Sequence, residues 1–176
     1  MIQTEESIRK KAALEIAEKM ATAARTAPKT RGRDSLKIAI VSGEDLQKVA
    51  DKMAEISRRN SLPSFERDAQ CIRKSQALLL IGTSVLPAML TFCGLCGFEN
   101  CKAKMQVPSA PCAFNTIDLG IAVGSAVGIA ADCRADCRVM YSVGMASMEM
   151  KILGDLHKIL LGIPVSISAK NPFFDR

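Results

Sequence analysis

The chain has 176 residues, 48% of them hydrophobic and 24% charged, which suits one globular domain over 1–176 that can bury a core without covalent staples. A net charge of +6 spread along the chain, with aromatics at 4% and no Trp, speaks against a nucleic-acid interface, which needs a dense basic stripe and stacking rings. Seven cysteines, an odd number, without a targeting segment lead to the expectation of reduced thiols in a cytoplasmic protein, with neither membrane nor nucleic acid as partner.

Glu5 and Glu6 favour a helix start, and Ile8, Ala12, Ile16, Met20 and Ala23 recur at helical spacing, so a first helix is predicted to end near Ala27 and Pro28. The loop 29–34 (K-T-R-G-R-D) is basic and carries a glycine. Residues 36–41 alternate as a strand. Ser42 to Asp45 (S-G-E-D) has the form of a capping box, opening a second helix with Leu46, Val49, Ala50, Met53 and Ile56 on its apolar face. Residues 77–82 (A-L-L-L-I-G) have the continuous apolar character of a central buried strand. No charge occurs from 75 to 98, a length that mimics a membrane span, but Gly82, Pro87, Gly94 and Gly97 interrupt it, so a buried strand running into a loop is expected.

That loop, 91–113, carries the chemistry. Cys93, Cys96, Cys101 and Cys112 follow the pattern C-x2-C-x4-C-x10-C. Four thiolates from so short a segment can wrap one inorganic centre, and Gly94 and Gly97 let the backbone curl and aim N–H groups at sulfur. Lys102 and Lys104 lie close enough in sequence to offset the negative charge. Structural zinc is the competing reading, although zinc ribbons usually carry two C-x2-C knuckles and this chain has one. Cys71, Cys133 and Cys137 read as free buried thiols.

Asn115 and Asp118 have the form of a second capping pair, with a helix over 116–131. Gly120, Gly124 and Gly128 recur every four residues, interleaved with Ala122, Ala126 and Ala130. Interior glycines cost roughly 0.5–1 kcal/mol each, so a close approach to that surface is expected, by another helix, a dimer partner or a flat cofactor. Residues 138–143 are predicted as a strand, 149–161 as a short helix and 163–168 as a last strand. Helices and strands mix without a strict βαβ rhythm, which places the chain in the α+β class. His157, the single histidine, falls on the predicted short helix beside Lys158, where a satisfied or solvated role is expected. Asp118 and Asp132 read as a helix cap and an end residue. Neither G-x-G-x-x-G after a strand nor G-x-x-x-x-G-K-[ST] occurs.

The opening C-G-x-C-G-x-x-x-C resembles the four-cysteine iron–sulfur domain of corrinoid proteins and electron-transport subunits, which implies a 4Fe–4S cluster on Cys93, Cys96, Cys101 and Cys112. The cluster loop together with D-L-G-I-A-V-G-S-A from Asp118, R-V-M-Y-S-V-G from Arg138, G-I-P-V-S from Gly162 and K-N-P-F-F-D-R from Lys170 resembles a group of uncharacterised prokaryotic ferredoxin-domain proteins. A second resemblance is to the nitroreductase flavoproteins, through A-R-T-A-P ending at Pro28, the Gly/Ala helix and L-G-I-P ending at Pro164. It implies a nitroreductase-like mixed sheet flanked by helices, with the cysteine loop inserted, and a homodimer with FMN at the subunit interface. The R-R-S-x-R segment that grips the flavin phosphate in that family is not found here, so Arg31, Arg33, Lys170 and Arg176 become the candidates for the phosphate. The expectation is an iron–sulfur redox protein moving single electrons, with FMN as a candidate second cofactor, and with the donor and acceptor open between a partner protein and a small molecule. A metal-stabilised binding or assembly module without redox work is the alternative.

Overall fold

The computed structural model describes residues 2–174. In chain order its helices and strands are α1 (Glu5–Thr26), β1 (Leu36–Ser42), α2 (Glu44–Asn60), α3 (Pro63–Arg73), β2 (Ala77–Ser84), α4 (Cys101–Met105), α5 (Ala113–Asp132), β3 (Asp136–Cys137), α6 (Tyr141–Glu149) and β4 (His157–Ser166), with a short 3-10 turn at Thr30–Gly32. The α+β class stands, but among the described strands the sheet is antiparallel throughout rather than mixed, in the order β1-β2-β4-β3.

β2 is the centre of the molecule. Residues Ala77 to Ile81 are fully buried because helices cover both faces of the sheet. Alternation across the strand divides the core in two. Ala77, Leu79 and Ile81 point with Ile163 and Val165 toward α1 and α5. Leu78 and Leu80 point with Leu160 toward α2, α3 and α6. Each such aliphatic side chain contributes about 1.5–3 kcal/mol when taken from water.

α1 is capped by the Thr4 side chain, which accepts from the Ser7 N–H, and carries Glu5 and Glu6 in its first turn. Its buried face is Ala13, Ala17, Met20 and Ala24, which shares Met20 with the expected stripe but is rotated from its start at Ile8, 41% exposed. α5 explains the rotation. It presents Ala122, Ala126 and Ala130 to the same core cluster, and small residues on both helices allow close packing. Its glycines lie on the opposite side: a Cβ added at Gly120, Gly124 or Gly128 would meet nothing within 4 Å. The close approach expected at these glycines is therefore absent within the described chain. α5 is long and apolar enough to cross a membrane by length and composition alone, and its alanine face is spent on α1 and the sheet.

The C-terminal third departs from expectation. The predicted strand 138–143 is the short strand β3, a bridge from Met140 to Gly162, and then the start of α6. The predicted helix 149–161 is a turn followed by the first half of β4, which continues into the predicted last strand and ends at Ser166. Gly154 at φ +80° breaks any helix there, in a conformation that side-chain-bearing residues rarely adopt. α3, opened by Pro63 in its first turn, was not foreseen. Neither predicted cap exists: Gly43 caps α2 and Cys112 caps α5, both without a side-chain bond.

Gly144 of α6 packs tightly on β4, where an added Cβ would lie 1.9 Å from the Leu160 carbonyl oxygen. Backbone cannot yield there cheaply. Gly144→Ala is expected to destabilise the protein by about 3 kcal/mol, the upper range for overpacking. Gly124→Ala, facing open space within one chain, is expected to leave the stability of the single folded chain level or raise it by up to about 1 kcal/mol. Urea unfolding of the two variants checks the contrast.

Candidate functional site

After Ser84 the chain runs through 85–100 without regular secondary structure. This loop carries Cys93 and Cys96, and a turn between them is closed by the Gly97 N–H donating to the Gly94 carbonyl at 2.9 Å, with Gly97 at φ +83°. The Asn100 side chain then accepts from the Ala103 N–H at 3.0 Å and so starts α4 at Cys101. Cys112 is the N-cap residue of α5, at the electropositive end of a 20-residue helix. All four thiols line one small cavity. Cys112 is buried, and Cys93, Cys96 and Cys101 are half-buried.

Lys104 lines the same cavity and is only 2% exposed. Its Nζ donates to the Val85 carbonyl, and no carboxylate lies within ion-pair reach of it among the described residues. A buried ammonium without an anion costs several kcal/mol. Four thiolates in the same cavity would supply the missing charge. Among the described residues no three ligating side chains come together tightly enough to hold one metal ion. Four thiols around one cavity can ligate a zinc ion, with bonds of about 2.3 Å, or an iron–sulfur cluster, and the donor set fits a cluster on these four residues.

A second and larger cavity, about 1240 Å³ with its open mouth included, shares Pro87 and Ala88 with the first. α5 contributes Asn115 and Asp118 to its lining. Asp118, read from sequence as a cap, is buried, and its carboxylate accepts from the Thr30 N–H at 3.0 Å and the Thr30 hydroxyl at 2.9 Å. Asn115 is also buried, and its Nδ2 donates to the carbonyls of Ser84 at 2.8 Å and Leu86 at 2.6 Å. One helix end thus pins the loop 29–34 and the exit of β2. Lys29 closes α1 by donating to the carbonyls of Ala24, Arg25 and Ala27, and burial pulls its pKa below the ordinary lysine value.

The four candidate phosphate cations are not gathered at one place. Arg33 lines the large cavity. Arg31 instead donates to the Met89 carbonyl at 2.8 Å, tying the 29–34 loop to the cysteine loop. Lys170 sits with Lys74 and Asn171 beyond the start of β2, at the other end of the sheet, and Arg176 lies outside the described residues. Lys158 and His157, on β4 rather than on a helix, line the large cavity beside Arg33. The His157 Nδ1 is 3.2 Å from the Leu153 carbonyl. Arg33 and Lys158 have no ion pair among the described residues, Asp34 pairs with Arg25 and Asp155 with Lys151, and Asp118 accepts from Thr30 without an ion pair of its own. Two unpaired cations thus stand with one unpaired carboxylate in the lining of this cavity.

The remaining cysteines stand apart. Cys71 donates to the Pro172 carbonyl at 3.3 Å, and burial pushes its thiol pKa up, as it does for Cys137 in β3. Cys133 follows the far end of α5 from Cys112.

Solved structures resemble this fold. An oxidoreductase containing FMN aligns with a TM-score of 0.60 at 15% identity, over 89% of this chain and 67% of that one. A nitroreductase with bound FMN from Desulfitobacterium hafniense gives 0.57 at 12%, over 89% and 78%. A nitroreductase family protein from Clostridium novyi gives 0.56 at 13%, over 87% and 73%. At these identities the likeness is one of fold, and the fold is nitroreductase-like. Residues 109–176 match the family described as "Uncharacterized protein containing a ferredoxin domain" (DUF2148), a stretch that takes in Cys112 and α5 and begins after the first three cysteines. An uncharacterized protein of Archaeoglobus fulgidus is 38% identical over 164 residues, which span 89% of this chain and 88% of that one. With most of both chains aligned, this chain belongs to that ferredoxin-domain family.

Proposed function

We propose that the chain is an iron–sulfur redox protein in which Cys93, Cys96, Cys101 and Cys112 hold a 4Fe–4S cluster that takes up and passes on single electrons. The observation that carries this reading is the single cavity lined by all four thiols and by the buried, carboxylate-free Lys104. When bound, such a cluster supplies reversible one-electron chemistry. The chain's own part is to ligate it and to leave it near the surface. Phe92 is fully exposed and Leu95 is 67% exposed beside the ligands, an apolar rim against which a redox partner can close. Seven free thiols among the described residues agree with a reducing compartment such as the cytoplasm.

FMN in the larger cavity extends this reading. Leu36, Val85, Leu86 and Leu156 offer apolar walls, and Arg33 and Lys158 offer cations to a phosphate. The shared residues Pro87 and Ala88 keep the two cavities adjacent, which suits electron relay between two groups. The FMN in the nitroreductase of Desulfitobacterium hafniense supports the choice of cofactor. A homodimer is part of the proposal. The glycine face of α5, with Ile117 46% and Ile121 42% exposed, offers a flat apolar surface to a second copy.

Anaerobically purified protein is expected to be brown and to contain about four irons and four sulfides per chain. Stoichiometric zinc without iron would refute the cluster. Acid extraction is expected to release FMN, and the absence of both bound flavin and uptake of added FMN would remove the second cofactor. Light scattering at micromolar concentration is expected to give a dimer for the wild type. Gly124→Leu is expected to be a folded monomer, because the added side chain meets open space within one chain but a neighbour across the interface. A monomeric wild type, or a dimeric Gly124→Leu, counts against the interface.

A further inference from the structure

We propose that Lys104 is the built-in counter-charge of the four-cysteine centre and raises its reduction potential, favouring the reduced state. The inference rests on the cluster reading above and adds a residue that is not a ligand. Lys104 falls three residues after Cys101 on α4, so the two share one face of that helix turn. Both line the cavity, and Lys104 is the largest fully buried side chain described in the molecule. Its position is held from two sides. The Asn100 cap fixes the start of α4, and the Val85 carbonyl accepts from Nζ. That bond uses one of three ammonium protons, and no carboxylate among the described residues answers the charge.

The sign of the effect follows from charge. An electron delivered by an external reductant enters the centre without making or breaking a ligand bond, and leaves again to an acceptor. Each electron makes the thiolate-ligated centre one charge more negative, so a fixed positive charge beside it stabilises the reduced form more than the oxidised form. Burial makes the effect strong, since water and salt cannot screen the pair. Lys102 serves as the internal comparison. It lies on the same short helix but is exposed, where solvent screens it.

The test uses the full chain, purified anaerobically, as wild type, Lys104→Gln, Lys104→Met and Lys102→Gln. Iron and sulfide are counted first, and far-UV circular dichroism reports the fold. Midpoint potentials then come from dithionite titration followed by electron paramagnetic resonance. Both Lys104 variants are expected to keep the wild-type iron content with a midpoint shifted to lower potential, while Lys102→Gln keeps the wild-type value. An iron-loaded Lys104 variant with an unchanged midpoint overturns the proposal. Loss of iron from both Lys104 variants with the fold intact also overturns it, because Lys104 then holds the loop rather than setting the potential. A wild type without iron removes the cluster reading itself, and that result is seen before any variant is compared.

Discussion

The N-terminal end of α5 is the constraint on which the site depends. Within two turns it presents Cys112 as its cap, the Asn115 amide to the carbonyls of Ser84 and Leu86, and the Asp118 carboxylate to Thr30. Each is buried. A buried amide or carboxylate without partners costs several kcal/mol, so the chain can satisfy them only by bringing the exit of β2 and the loop after α1 to this one place. The two cavities are then neighbours by necessity. Their common wall, Pro87 and Ala88, is part of the segment that Asn115 holds through Leu86.

The same end is held in place from behind. The alanines of α5 lie against those of α1, and both helices cover the odd-numbered residues of β2. Small side chains on both surfaces leave little slack, so the position of Cys112 is tied to the sheet rather than to its own loop. Cys93 and Cys96 are placed differently, by local turns and by the Arg31 guanidinium that grips the Met89 carbonyl. A thiol on a helix end thus faces thiols on a loop, an arrangement that would let the loop adapt to a bound centre while one corner stays fixed.

Much of this was legible in the sequence where the signal was local. α1, α2, β1 and β2 follow from apolar periodicity, and the four cysteines from their spacing, because ligands within twenty residues need no tertiary information to be recognised as a group. The C-terminal third was not legible for the opposite reason. In 149–161 the apolar residues Ile152, Leu153, Leu156, Ile159 and Leu160 satisfy a helical period, while only Gly154 and the pairing with β2 settle the matter for a strand. The expected strand 138–143 overran the start of α6, whose Gly144 packs on the Leu160 backbone in a contact that no local pattern encodes. Asn115 and Asp118 had the right residue types for a cap but served a distant partner: Thr30 is 88 residues away from Asp118. Lys158 carried no signal at all until β4 turned it toward the cavity that Arg33 lines.

The glycines show where reading from sequence reaches its limit. Gly144 has an evident purpose in the folded chain, since the Leu160 backbone occupies the place of its side chain. Gly120, Gly124 and Gly128 have none there, although each lowers the intrinsic helix stability of α5 by roughly 0.5–1 kcal/mol relative to alanine. A helix that carries this cost three times on one face, beside two half-exposed isoleucines, is what the proposed second copy would cover. The sequence signals close approach at the α5 repeat, whereas Gly144 carries no such signal. The structure separates the two positions, because the Leu160 backbone lies against Gly144 and nothing among the described residues lies against the α5 glycines.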